Sequence, residues 1–245
     1  MVVVSLARLR RALVWVCVVA LLGAVVRWGM RAASADPLTH GGAAISRLQV
    51  AGRAIALTFD GSGTDLEALA ASLGASSLPA TIFVTGAFAL AQPHTVGDLT
   101  RAGLEVETVG WDGGDLTGQS AATLEASLQR SAARLTADTG NAALFLRPPA
   151  GHYNAATLRA AERVGLGVVT WTSAVDGRQS TAVVDQVLAG LRPGAILRLP
   201  VTPASVAAIP QIAVGLRMRG YEALTLQALL AMAEGAAEVS LRSTP

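Results

Sequence analysis

Beyond about residue 50, apolar and polar positions follow two alternating rhythms. Short apolar, β-prone runs at Ala54 to Phe59, Ala80 to Thr85, Leu104 to Gly110, Leu144 to Arg147, Gly167 to Trp171 and Ala195 to Leu199 read as buried strands. Longer stretches between and after them repeat their apolar positions at helical spacing. The clearest, Ala121 to Thr139, sets Leu124, Leu128, Ala132 and Leu135 on one face and closes at Gly140. Asn154 to Val164, Thr181 to Leu191, Ser205 to Arg219 and Leu226 to Ala236 follow the same rhythm. Alternating strands and helices predict an α/β fold of parallel strands joined by right-handed crossovers, either a barrel or a doubly wound sheet. Both architectures gather functional residues at the C-terminal ends of the strands.

The N-terminal stretch follows neither rhythm. Arg8, Arg10 and Arg11 precede an apolar run from Ala12 to Val26 that meets Arg27, the pattern of a targeting segment. The run is shorter than the roughly 20 residues that span a bilayer comfortably. Small residues at Ala33-Ser34-Ala35 then favour a signal peptide cleaved after Ala35 over a signal anchor spanning residues 12–30. Either way the body is expected to be exported, extracellular or in the cell envelope. Residues 1–35 are assigned to targeting, 36–52 to a linker, 53–233 to the α/β domain and 234–245 to a C-terminal tail. All 19 basic residues are arginines and five lie in the targeting segment, so against 17 acids the body carries about −3. A slightly acidic body with few aromatics argues against nucleic-acid binding. Cys17, the only cysteine, lies inside the apolar run and leaves neither a disulfide nor a cysteine metal site. A monomer is expected.

Three strings carry chemistry at strand ends. Ala56-Leu57-Thr58-Phe59-Asp60-Gly61-Ser62-Gly63 delivers one carboxylate into a glycine-rich turn. Pro79-Ala80-Thr81-Ile82-Phe83-Val84-Thr85-Gly86 is a second buried strand ending in Thr-Gly, and Leu146-Arg147-Pro148-Pro149-Ala150-Gly151 ends a third in Arg and a stiff turn. With Arg192-Pro193-Gly194-Ala195-Ile196-Leu197 near the end, this ordered set resembles the polysaccharide deacetylase family, also called NodB-homology or chitooligosaccharide deacetylase-like, over roughly Arg53 to Leu229. The resemblance implies a distorted (β/α) barrel and removal of acetyl groups from sugars with a divalent metal such as zinc.

Residue by residue, the resemblance makes this chain a degenerate member. In the family, Thr-Phe-Asp-Asp-Gly supplies a general base and a metal ligand; Asp60 matches the base, and Gly61 stands at the ligand. A Gly-His-Glu-x-Gly-Asn lead into His-x-x-x-His supplies two more ligands, and here Val109 and Gly113 occupy those places. Arg147, Pro148 and Gly151 keep the Arg-x-Pro-x-Gly motif, whose Arg is expected to pair with the base. Asp176 is at best a shifted match to the acids that follow a Trp in the family. The closing Leu-His-Asp, source of the general acid, is Leu199-Pro200-Val201. A hydrolytic metal site needs about three protein ligands and an open position for water, which Asp60 alone does not provide.

No metal ligand is therefore assigned and no cofactor is expected. Asp60 and Arg147 are the catalytic candidates, and Pro148, Gly151, Trp111, Tyr153 and Trp171 are candidates for binding a saccharide, the aromatics equally fitting a core. Of the histidines, His40 and His94 read as exposed, while His152 follows the Arg-Pro-Pro-Ala-Gly turn and faces the cleft in one reading. Asp60, Asp65, Asp112, Asp115 and His152 offer one route to a hard-metal site; turn-stabilising roles for Asp112 and Asp115 are favoured. The leading expectation is an exported pseudoenzyme that binds a cell-wall or extracellular glycan. The alternatives are an active carbohydrate deacetylase with a rearranged site and a membrane-tethered interaction scaffold.

Overall fold

A computed structural model describes residues 43–242 apart from Ser62 and Thr64, with side chains described as far as residue 235. Eight strands form one sheet: β1 Ala54–Asp60, β2 Thr81–Val84, β3 Glu105–Thr108, β4 Phe145–Leu146, β5 Gly167–Val168, β6 Ser173–Ala174, β7 Ile196–Pro200 and β8 Glu222–Leu224. The helices among the described residues are α1 Asp65–Ala75, α2 Gly86–Ala91, α3 Pro93–Arg101, α4 Ala121–Thr139, α5 Ala155–Val164, α6 Ser180–Ala189, α7 Pro203–Met218 and α8 Leu226–Arg242. Strand order is β5-β4-β3-β2-β1-β7-β6, and every pairing between these strands is parallel. Ala56 is opposite both Ile196 and Leu224, so β8 takes the edge of β1 that β2 takes further along. This is a curled α/β half-barrel, which decides the choice that periodicity left open.

The period-two alternation of the strands divides the core in two. Ile55, Leu57, Phe59, Ile82, Val84, Val106, Leu197 and Leu199 face outward against the helices. Ala54, Ala56, Phe83, Phe145, Val169 and Ile196 face the barrel interior, where Leu226, Leu229 and Leu230 of α8 join them. Each large side chain buried in this way contributes about 1.5–3 kcal/mol. Helix ends follow their capping residues: Ser120 accepts the Thr123 N–H at the start of α4, and Asn154 forms a reciprocal capping box with Thr157 on α5.

The targeting segment lies outside the described residues, as do His40 and Cys17. Of the linker, residues 43–52 are described, and they are docked: Ile45 and Leu48 are buried. Ile45 bridges to Val169 and Arg47 to Ala195, and Thr172 Oγ1 donates to the Ser46 carbonyl at 2.7 Å. The segment thus spans the gap between the end of β5 and the start of β7. At the other end, helix α8 carries the backbone through the expected tail as far as Arg242. Among the described residues no helix is long and apolar enough to cross a membrane.

Candidate functional site

The C-terminal end of β1 delivers Asp60 to the mouth of the barrel. Arg147, two positions after Phe145, arrives on the same inner face from β4. Arg198, two positions after Ile196, arrives from β7, where it is opposite Thr58. Asp60 Oδ1 accepts from Arg147 Nη1 at 2.7 Å, and Oδ2 accepts from Arg198 Nε at 2.6 Å. Side-chain exposure runs from 1% at Arg147 through 19% at Asp60 to 30% at Arg198. The carboxylate is thus clamped between a buried guanidinium and a half-exposed one.

Aromatic rings brace both arginines. The Arg147 Cζ lies 4.0 Å from the Phe83 ring centroid, and Arg198 Cζ lies 4.8 Å from that of Trp171. Burial pulls the Arg147 guanidinium below its ordinary value, with the charge and hydrogen bond of Asp60 opposing the shift. Its Nε is buried without a hydrogen-bond partner. Trp171 is seated by the turn Pro149–Gly151: a Cβ on Gly151, whose φ is +74°, would fall 2.9 Å from the ring. Pro148, buried, starts that turn, so its part is to shape the backbone beneath the site.

The remaining candidates make other contacts. Trp111 is half-buried under Arg130, whose Cζ stands 3.4 Å from its ring centroid, and its carbonyl accepts from the Ala87 N–H. Tyr153 is 40% exposed on the loop into α5. His94 is exposed on α3, and His152, also exposed, lies close enough to Asp115 to help lower that carboxyl's pKa after the two hydrogen bonds from Thr117. Asp112 and Asp115 accept the N–H groups of Gly114 and Thr117, the turn roles that were favoured for them.

The residues present do not fit the family's metal. At Gly61 there is no side chain, and a Cβ built there would fall 2.8 Å from the Val201 Cβ, so Val201 fills the space a ligand needs. Val109 packs against the interior core, and Gly113 holds a φ of +77°, a conformation that strains any residue with a Cβ. Among the described residues, no three His, Cys, Asp or Glu side chains are placed to hold a metal ion.

Two features escaped the sequence reading. Arg198 was hidden inside an apolar run read simply as a strand. The other is a pair of acids on β3, Glu105 and Glu107, both facing the interior beside a cavity of about 430 Å³ lined also by Thr139, Asn141 and Gln227. Glu107 Oε2 accepts the N–H groups of Leu144 and Phe145 at 2.9 and 2.8 Å, while Glu105 Oε2 accepts from Thr81 Oγ1 and the Gln227 N–H. Burial, reinforced by the neighbouring Glu105 charge, pushes Glu107 well above the usual carboxylate range, and burial also raises Glu105. Oε1 of Glu105 is buried without a hydrogen-bond partner. A glutamate where the family's lead has glycine was the signal available at position 107.

This geometry is that of a polysaccharide deacetylase domain, and the family profile of that description matches residues 48–169. The chain belongs to the polysaccharide deacetylase family. Its curated relatives include the peptidoglycan-N-acetylglucosamine deacetylase PgdA of Listeria monocytogenes, 28% identical over 71% of this chain, and the chain spans 38% of that protein's length. Among solved structures, a CE4 family pseudoenzyme from Bacillus anthracis superposes with a TM-score of 0.74 at 19% identity, covering 78% of this chain and 69% of that one. The family 4 carbohydrate esterase of Streptomyces lividans, solved with acetate, gives 0.67 at 26% identity, covering 71% and 93%.

Proposed function

We propose that this chain binds a glycan at the cell envelope and does not hydrolyse acetyl groups. One observation carries the reading: both oxygens of Asp60 are taken by guanidinium donors, while Val201 stands where the neighbouring position would need a ligand. A base engaged in this way is poorly placed to take a proton from water, and among the described residues no ligand set is placed to hold a metal that would acidify that water. Pro200, at the place of the family's general acid, has no proton to give. The envelope location is supported by the arginine-flanked apolar N-terminus and by relatives whose names place their action on peptidoglycan. The likeness to a CE4 pseudoenzyme supports the fold's persistence without catalysis.

The test is acetate release from N-acetylated chitooligosaccharides and peptidoglycan with zinc, cobalt or manganese, run beside a sedimentation assay on insoluble peptidoglycan. The expected result is release at the blank rate together with retention on the polymer. Metal-dependent release that disappears in Asp60→Asn would overturn the reading.

A further inference from the structure

We infer that the barrel mouth takes a glycan bearing a carboxylate, with Arg198 as its anchoring cation, an inference that rests on the glycan-binding reading above. Within the Asp60, Arg147 and Arg198 cluster the charges do not cancel. Asp60 lies between two guanidiniums, and Arg147, 1% exposed, is committed to it and to the Thr170 carbonyl at 3.4 Å. That pair is neutral, which leaves the charge of Arg198 over.

Arg198 also has the geometry of a receptor. It spends only Nε on Asp60, and its two Nη nitrogens have no protein acceptor among the described residues. The Arg198 side chain is 30% exposed. The guanidinium is fixed beforehand on one edge by the carboxylate and on its face by the Trp171 indole, so little freedom is lost when a ligand binds. A planar fork with one uncompensated positive charge matches a singly charged ligand presenting two coplanar oxygens, which is a carboxylate. A neutral acetamido sugar offers only one carbonyl oxygen to the same fork. Trp171 is accordingly a positioning residue that braces Arg198, with Gly151 holding the ring in place.

Titration calorimetry on the full-length protein decides the matter with two ligands of equal length, a trimer of galacturonic acid and neutral chitotriose. The acidic trimer is expected to bind at least about tenfold more tightly at low salt, the share of one charge-assisted contact, and to weaken as salt is added. Arg198→Gln should bring it down to the neutral trimer's level, with Arg198→Lys retaining part of the preference. Equal affinity for the two trimers, or a preference untouched by Arg198→Gln, would sink the carboxylate reading while glycan binding stood. Binding of neither trimer, with no retention on peptidoglycan, would sink both. If Arg198→Gln fails to fold, the wild-type comparison at low and high salt still separates these outcomes.

Discussion

Asp60→Asn separates a structural carboxylate from a catalytic one. The substitution removes a negative charge and one of two acceptor oxygens, but little volume. Arg147, 1% exposed and with its Nε already unpaired, has no route to water and keeps a charge that nothing neutralises. Removing one partner of a buried ion pair costs about 3–5 kcal/mol. Asp60 is 19% exposed and Arg198 30%, so solvent screens part of the loss and the lower end, about 3 kcal/mol, is expected. A domain of this size should then melt about 6–12 °C lower, and its urea midpoint should fall by about 1 M or more. Circular dichroism against urea at neutral pH measures it. Asp60→Asn combined with Arg147→Met should recover much of the loss, because the stranded charge leaves with its partner. A single Asp60→Asn variant within about 0.5 kcal/mol of wild type, or more stable than it, would refute the argument. It would mark Asp60 as a group held at a cost to stability for the sake of chemistry.

Glu107 and Glu105 bind protons more strongly folded than unfolded, so their contribution to stability is complete below the ordinary glutamate pKa of about 4.5. It is lost as pH rises from there through their folded values. Melting temperature should therefore decline from mildly acidic to alkaline pH, and Glu107→Gln, which keeps the shape of the protonated acid, should flatten that decline; a slope unchanged by the substitution would count against the buried pair. Gly61→Asp should destabilise by about 1–3 kcal/mol, because its Cβ meets Val201 at 2.8 Å, and Val201→Ala should relieve most of this in a double-mutant cycle. Additive losses in urea unfolding would mean that Val201 does not fill the vacated place.

The fold was legible where pattern ran long. Nineteen residues of α4 with a serine cap and a terminal glycine came out at their observed bounds. The six expected strands all exist: β2, β3, β4 and β5 are shorter than their apolar runs because pairing stops first, while β1 and β7 end one residue further on, at Asp60 and Pro200. Strands β6 and β8, two and three residues long, were invisible because alternation needs more positions than they have. Helices α1, α2 and α3 were passed over. In α1 the buried Leu66, Leu69 and Leu73 follow helical spacing, which was the signal available there. Ile45 and Leu48 lie in a stretch of Gly, Ala and Ser, and only tertiary contact tells a docked segment from a free one.

The site was legible as a list of losses, and less so as a rearrangement. By the family resemblance, Gly61 stands where the motif has a carboxylate and Val109 and Gly113 where it has imidazoles, and each difference could be read singly against the motif. What no motif states is that Arg198 reaches across from β7 to the same carboxylate that Arg147 holds. Arg198 alternates with Leu197 and Leu199, so a charged residue on the interior face of a buried strand was the available signal. The family resemblance puts a divalent cation beside Asp60. Without it, the carboxylate would be left with Arg147 alone, and Gly61 and Val201 would enclose an apolar space where charge had been. A guanidinium on the neighbouring strand restores a cation to the carboxylate's second oxygen, at 2.6 Å, without needing a further ligand. On the proposed reading, Arg198 stands in for the exchangeable ion that the family resemblance implies, a covalently attached cation in its place. On the same reading, that arrangement holds the mouth in shape and suits the site to recognition in place of hydrolysis.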